Sequence, residues 1–218
     1  MPFPFAILFE AICLALSIFL LSGKKAGWWR NFIWFLLLTV LVETSAYSIV
    51  VLSHMKSSNH WLHNLFLPIE VSFIGWVLNK ISSSYFNSKL WLMAGLAIFI
   101  LAYFYESIKS GFLEYSSIAN SIASVWIILI CCLYYYYLLK EEEYINITTH
   151  PSFWIVSGCF LFYFGTTACN LFYFYLESIN VQQRSPVRFY IFEAFNFIMY
   201  GSWSYAFLCK YRQMILSI

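Results

Sequence analysis

Seven apolar stretches divide this chain, each long enough to cross a lipid bilayer as an α-helix: residues 3–22, 31–53, 61–80, 90–107, 117–139, 152–176 and 188–209. A helix needs roughly 20 apolar residues to span a hydrocarbon core of about 30 Å. Turn or charge signals separate them: Ser22-Gly23-Lys24-Lys25, Lys56-Ser57-Ser58-Asn59, Ser82-Ser83-Ser84, Lys109-Ser110-Gly111, Lys140-Glu141-Glu142-Glu143 and Gln182-Gln183-Arg184-Ser185-Pro186. Pro151 falls in the first turn of the sixth run, where its missing N–H costs nothing. Only 10% of the residues are charged, against about 25% in globular proteins, which makes lipid the expected solvent. In 218 residues these spans leave only short connections, none long or polar enough for a separate soluble domain. The expectation is an all-α membrane protein, one transmembrane domain over residues 1–218 with the lipid bilayer as its partner.

The first residues lack the basic segment and small-residue cleavage site of a secretory signal, so the first run is expected to be kept as a helix. Lys and Arg distribution sets the orientation. Connections 1–2, 3–4 and 5–6 and the C-terminal tail hold Lys24, Lys25, Arg30, Lys80, Lys89, Lys140, Lys210 and Arg212, while the other side holds Lys56, Lys109, Arg184 and Arg188. Eight against four favours a cytoplasmic C-terminus and an outside N-terminus, in the cell (inner) membrane. A net charge of +2 gives no ground for a nucleic-acid partner. The cysteines form no C-x-x-C pair; Cys13, Cys131, Cys132, Cys159 and Cys169 lie inside apolar runs and Cys209 ends the last, as small apolar fillers.

An internal duplication is visible in outline. Glu43-Thr44-Ser45-Ala46 resembles Gly165-Thr166-Thr167-Ala168, and Phe66-x-x-x-Glu70-Val71 resembles Phe189-x-x-x-Glu193-Ala194, at offsets of 122 and 123. Helices 1–3 and 5–7 would then be parallel copies joined by helix 4. Such a three-one-three plan resembles the sugar-efflux and PQ-loop transporters in topology only, because no Pro-Gln pair occurs. No lysine lies within the seventh helix, which argues against a retinal Schiff base.

An ionised side chain at mid-bilayer costs about 2.5–3.5 kcal/mol, so acidic residues inside the spans are expected to face the bundle interior. Four lie well within their runs, away from the ends: Glu10, Glu43, Glu70 and Glu193, accompanied by His63, Asn64, Asn120, Asn170 and Asn196. With the orientation above, these groups fall at mid-depth or in the outer half on six of the seven helices, whereas inner segments such as 14–21 and 125–133 are nearly devoid of strong polar groups. Helical spacing places His63 with Glu70, Glu43 with Tyr47, and Glu193 with Asn196 and Tyr200 on common faces. Ser117, Asn120, Ser121 and Ser124 form a polar strip on helix 5, and Thr166, Thr167, Asn170 and Tyr173 another on helix 6. Converging, they would line a pocket open to the outside, with Glu10, Glu43, Tyr47, His63, Glu70, Asn120, Asn170, Glu193 and Asn196 as its ligand-binding residues. Carboxylates without an intramembrane Lys or Arg suggest a small-molecule or cation ligand, or shared protons. Buried Asn, Ser and Thr can equally tie helices together, and a Glu in a dry bundle can be protonated and donate to a carbonyl.

No metal or other cofactor is expected. His54, His60 and His63 flank one outer connection, but no H-E-x-x-H occurs and helix 7 brings no histidine. G-x-S-x-G, P-loop and G-x-G-x-x-G signatures are absent. The tyrosines 134–137 and Trp28, Trp29, Trp61, Trp91 and Trp203 read as interfacial belts, the acidic residues 141–143 as a solvated loop, and the Asn146-Ile147-Thr148 sequon falls on the inner side. The leading expectation is a non-enzymatic, receptor-like or sensor-like protein binding its ligand from outside. With only eight residues after Lys210, such a sensor needs a signalling partner protein. A small transporter coupled to protons or cations is the alternative, and an intramembrane lipid-modifying enzyme comes third.

Overall fold

The computed structural model describes residues 4–52, 59–114, 116–141, 146–172 and 187–216. Among these residues all regular structure is helical, with seven α-helices: α1 (Phe5–Leu21), α2 (Asn31–Leu52), α3 (His60–Ser82), α4 (Ser88–Ser110), α5 (Ser117–Lys140), α6 (Pro151–Leu171) and α7 (Val187–Leu216). Each lies on one of the apolar runs. Five stretches are long and apolar enough to cross a membrane: Lys24–Val51, His60–Ser82, Ser88–Lys109, Ser117–Lys140 and Pro151–Leu171. The protein is therefore read as a multi-pass membrane protein. At 17 residues, α1 is apolar but only about 25 Å long. α7 has the length, at 30 residues, but Glu193, Asn196, Lys210, Arg212 and Gln213 dilute its apolar character.

Helix ends depart from the apolar pattern where side chains capture the backbone. α7 continues past 209 to Leu216; there Gln213 Nε2 donates to Thr149 O (3.4 Å) and the Cys209 thiol to Thr148 O (3.7 Å). Polar residues thus extend a helix whose apolar run has already ended. α6 stops at Leu171, short of 176; residues 173–176, like residues 3 and 53 of the first two runs, lie outside the described residues.

The chain forms two compact units, one of Met1–Leu38 with Glu143–Ile218 and one of Thr39–Glu142. In the first, α7 packs on both α1 and α6, and the 3-10 segment Lys24–Arg30 leads into α2. That segment turns at Gly27, whose φ of 57° and ψ of −131° suit a residue without Cβ. The turn lays Trp28 on Trp29 (4.7 Å between centroids), and Phe32 then meets Trp203 and Phe207 of α7 edge-on, at 5.2 Å each. Phe32, Trp203 and Phe207 are fully buried. Gly165 of α6 lies against the Phe195 ring, where a Cβ would overlap it.

In the second unit α3, α4 and α5 pack around Trp126 of α5. Its indole Nε1 donates to Trp91 O at 3.1 Å. In a helix that carbonyl also serves the amide four residues on, which here belongs to Gly95. The indole therefore meets the α4 backbone where no Cβ stands in its way. Gly75 of α3 closes the other side; a Cβ there would come 2.7 Å from Trp126 Cη2. Lipid offers no hydrophobic drive for helices to associate, so close approach at small residues carries much of the packing.

Gly95→Ala is accordingly expected to lower stability by about 1–3 kcal/mol through overpacking, and Trp126→Phe in the same chain to recover part of that loss. Thermal unfolding in detergent measures both; an unshifted transition for Gly95→Ala would show that the indole does not pack on that backbone.

Candidate functional site

Backbone groups released inside a membrane protein must find partners, because lipid supplies none. Pro68 interrupts α3 and has no N–H, which frees the carbonyl four residues earlier, that of Asn64. Tyr103 of α4 fills the gap, its hydroxyl donating to Asn64 O at 3.0 Å. The Asn64 side chain, 2% exposed, holds the connection between α4 and α5. Its Nδ2 donates to Phe112 O (2.8 Å) and Glu114 O (2.6 Å), and its Oδ1 accepts from Ser116 N (3.1 Å). Both hydrogens of the amide nitrogen and its oxygen are thus engaged.

Beside this hub, Glu106 caps α5 from another helix. Its two oxygens accept from Ile118 N (3.0 Å) and Ala119 N (2.9 Å), which an N-cap side chain ordinarily serves. Ser116 occupies the cap position but makes no such bond. A carboxylate there also sits favourably at the positive end of the helix dipole. Near the end of its apolar run, Glu106 carries no helix-periodic signal of this role; the only hint is a serine cap that a buried carboxylate could replace.

The first unit repeats the device. Ala6 N, in the first turn of α1, donates to Glu193 Oε2 of α7 at 2.7 Å, where Pro4 offers no side-chain cap. Glu10 is buried on α1 near Cys13. Asn196 turns back onto its own helix, donating to Phe192 O at 3.0 Å, and Asn170 lies half-buried in the last turn of α6. Thr166 and Thr167 likewise both donate to Tyr163 O.

Of the nine expected ligand-binding residues, Glu10, Asn170, Glu193 and Asn196 belong to the first unit, and Glu43, Tyr47, His63, Glu70 and Asn120 to the second. Within the second, the structure brings Glu43 of α2 and His63 of α3 together, with Oε1 3.6 Å from Nδ1 and the side chains 34% and 31% exposed. His63 Nε2 lies 3.4 Å from Asn59 Nδ2. Tyr47 follows one turn after Glu43 and Glu70 two turns after His63, both half-buried. Asn120 stands in the first turn of α5, its carbonyl accepting from Ser124 Oγ at 2.8 Å. Chemically, the carboxylate–imidazole couple can take up a proton or face a cation. Among the described residues no three His, Cys, Asp or Glu side chains are grouped to hold a metal ion.

A recess of about 540 Å³ lies at the turn between α3 and α4, lined by Asn79, Ser83, Tyr85, Asn87, Ser88 and Lys89 among others. The serine run there reads from sequence as a turn and nothing more. Burial raises the Tyr85 hydroxyl above the ordinary tyrosine range, the Glu141 carboxylate adds to this, and a hydrogen bond with Tyr134 opposes it. Ser88 Oγ is already engaged by Asn79 Oδ1 at 2.7 Å.

Comparison with known protein families, curated sequences and solved structures returns no match. The functional reading therefore rests on the side chains alone.

The Asn64 carbonyl offers a direct test of this polar frame. Tyr103→Phe should lower stability by about 1–2 kcal/mol by leaving that carbonyl without its donor, and Pro68→Ala, which restores an amide at that turn, should remove most of the loss. Equal losses from Tyr103→Phe with and without Pro68→Ala, in a thermal unfolding cycle, would contradict the assignment.

Proposed function

We propose that this is a seven-helix protein of the cell (inner) membrane, N-terminus outside and C-terminus cytoplasmic, that binds a small cationic or proton-linked ligand in an outward-facing polar pocket and acts as a receptor-like or sensor-like subunit. One observation carries the reading. Glu43 and His63 face each other from two helices at 3.6 Å, each about one-third exposed. Asn64 and Glu106, by contrast, are buried and fully committed to backbone. A carboxylate kept accessible beside an imidazole is suited to ligand exchange, and Tyr47 and Glu70 extend the same polar faces. A sensor of this kind passes its signal through a partner protein.

Transport coupled to protons or cations is the second reading, favoured by the repeated sequence pattern at offsets of 122 and 123. The compact units group α1 with α6 and α7, and α3 with α4 and α5, so the grouping does not follow the two three-helix halves of that pattern.

Thermal stability of the purified chain, screened against sodium, potassium, ammonium and small organic amines, tests the pocket. A cation at about 100 times its Kd adds ~2.7 kcal/mol, and Glu43→Gln and Glu70→Gln should abolish that gain. Stabilisation by the same cation left intact in both variants would sink the reading. Uptake of that cation into proteoliposomes, lost in Glu70→Gln, would favour transport over sensing.

A further inference from the structure

Asn59, His63 and Glu43 form a short chain of polar groups running from the start of α3 to α2. We propose that this chain is a proton-binding site, so that the cation taken at this end of the protein is H⁺ itself. The inference rests on the reading above that the pocket serves a cationic or proton-linked ligand, and it assigns the cation.

The argument begins with the amide. A carboxamide nitrogen only donates, and Asn59 Nδ2 faces His63 Nε2 at 3.4 Å. With the amide in that orientation, Nε2 is assigned the lone pair and the single proton of the neutral ring is placed on Nδ1, on the side of Glu43 Oε1. In this state the couple carries one negative charge. A proton arriving at Nε2 forms one new N–H bond and breaks none within the protein. The ring becomes an imidazolium, its Nδ1–H now faces the carboxylate as an ion pair, and the couple is neutral. Asn59 answers by turning its amide to present Oδ1 as acceptor. One proton saturates the site.

Two features separate this chain from a structural fastening. Its carboxylate–nitrogen contact, 3.6 Å, exceeds the 2.9–3.0 Å of the Glu106 cap and the usual hydrogen-bond range, so it has room to tighten on charging. Both side chains also keep about a third of their surface exposed, so the packing of the unit does not seal the couple off.

The couple's own chemistry, one lone-pair nitrogen beside one carboxylate, suits a proton. On α2 Tyr47 follows Glu43 by one turn; on α3 His60 precedes His63 by one turn and Glu70 follows by two. On α4 Tyr103 is bonded to Asn64 O and Glu106 to the α5 amides, while α5 brings the uncharged Asn120. No grouping of three metal-ligating side chains occurs among the described residues.

Histidine-labelled full chain in lipid nanodiscs, followed by NMR across an acid titration, tests the site, with the His63 signal identified by its loss in His63→Gln. The wild type should hold its neutral-state proton on Nδ1 and gain the second on Nε2. Glu43→Gln should shift the neutral ring towards Nε2–H and weaken proton binding at His63 about tenfold, since an opposite charge at this range is worth at least one pK unit. Glu43→Asp should restore part of the affinity, and the remaining histidine signals report that the variants stay folded. The same tautomer and titration for His63 in wild type and Glu43→Gln would overturn the proposal. That result would leave ligand binding at Glu70 untouched, because cation-induced stabilisation is measured separately.

Discussion

Buried helix ends leave amide and carbonyl groups that must find partners within the protein, and this chain meets that demand with side chains borrowed from other helices. Glu106 of α4 serves the start of α5, Glu193 of α7 serves the start of α1, and Tyr103 serves the carbonyl that Pro68 strands in α3. Asn64 ties the α4–α5 connection through three backbone groups at once. A hydrogen bond to a charged group contributes roughly 1.5–3 kcal/mol, and leaving its backbone partner unmet in a dry site costs a comparable amount. These few contacts fix which helices lie together within each unit, and the glycine-lined seat of Trp126 packs the interior they enclose.

The same contacts show how far the sequence could be read. The seven helices were legible because a run of some twenty apolar residues has one stable backbone form in lipid. The turn of α7 beyond Cys209 was not, since its extension depends on Gln213 reaching a carbonyl some sixty residues away in the chain. Glu193 was legible as an acidic residue needing a partner, but that its partner includes the Ala6 amide depends on α1 and α7 being neighbours. Glu106 escaped notice because it ends its apolar run, where a carboxylate looks solvated; yet it is 6% exposed. The pairing of Gly75 and Gly95 on one tryptophan has no local signature, because each glycine is explained only by a ring on another helix.

Against this background the polar residues fall into two kinds. Asn64 and Glu106 make short, buried contacts with backbone, and replacing them would loosen the frame. Glu43 and His63 make a longer contact between ionisable side chains that stay about one-third exposed. That contrast within one unit, and the shared faces with Tyr47 and Glu70, support a site whose charge can change while the frame around it holds.

Amide hydrogen exchange at the first turn of α5 tests the central claim most directly, because it reads the capped groups themselves. In the full chain in lipid nanodiscs, the amides of Ile118 and Ala119 should be strongly protected, and Glu106→Gln should speed their exchange by about tenfold or more while leaving the middle of α5 unchanged, as expected when a local cap worth 1–2 kcal/mol is lost. Equal protection in wild type and Glu106→Gln would contradict the account, since the start of α5 would then be held by something other than a carboxylate from its neighbour.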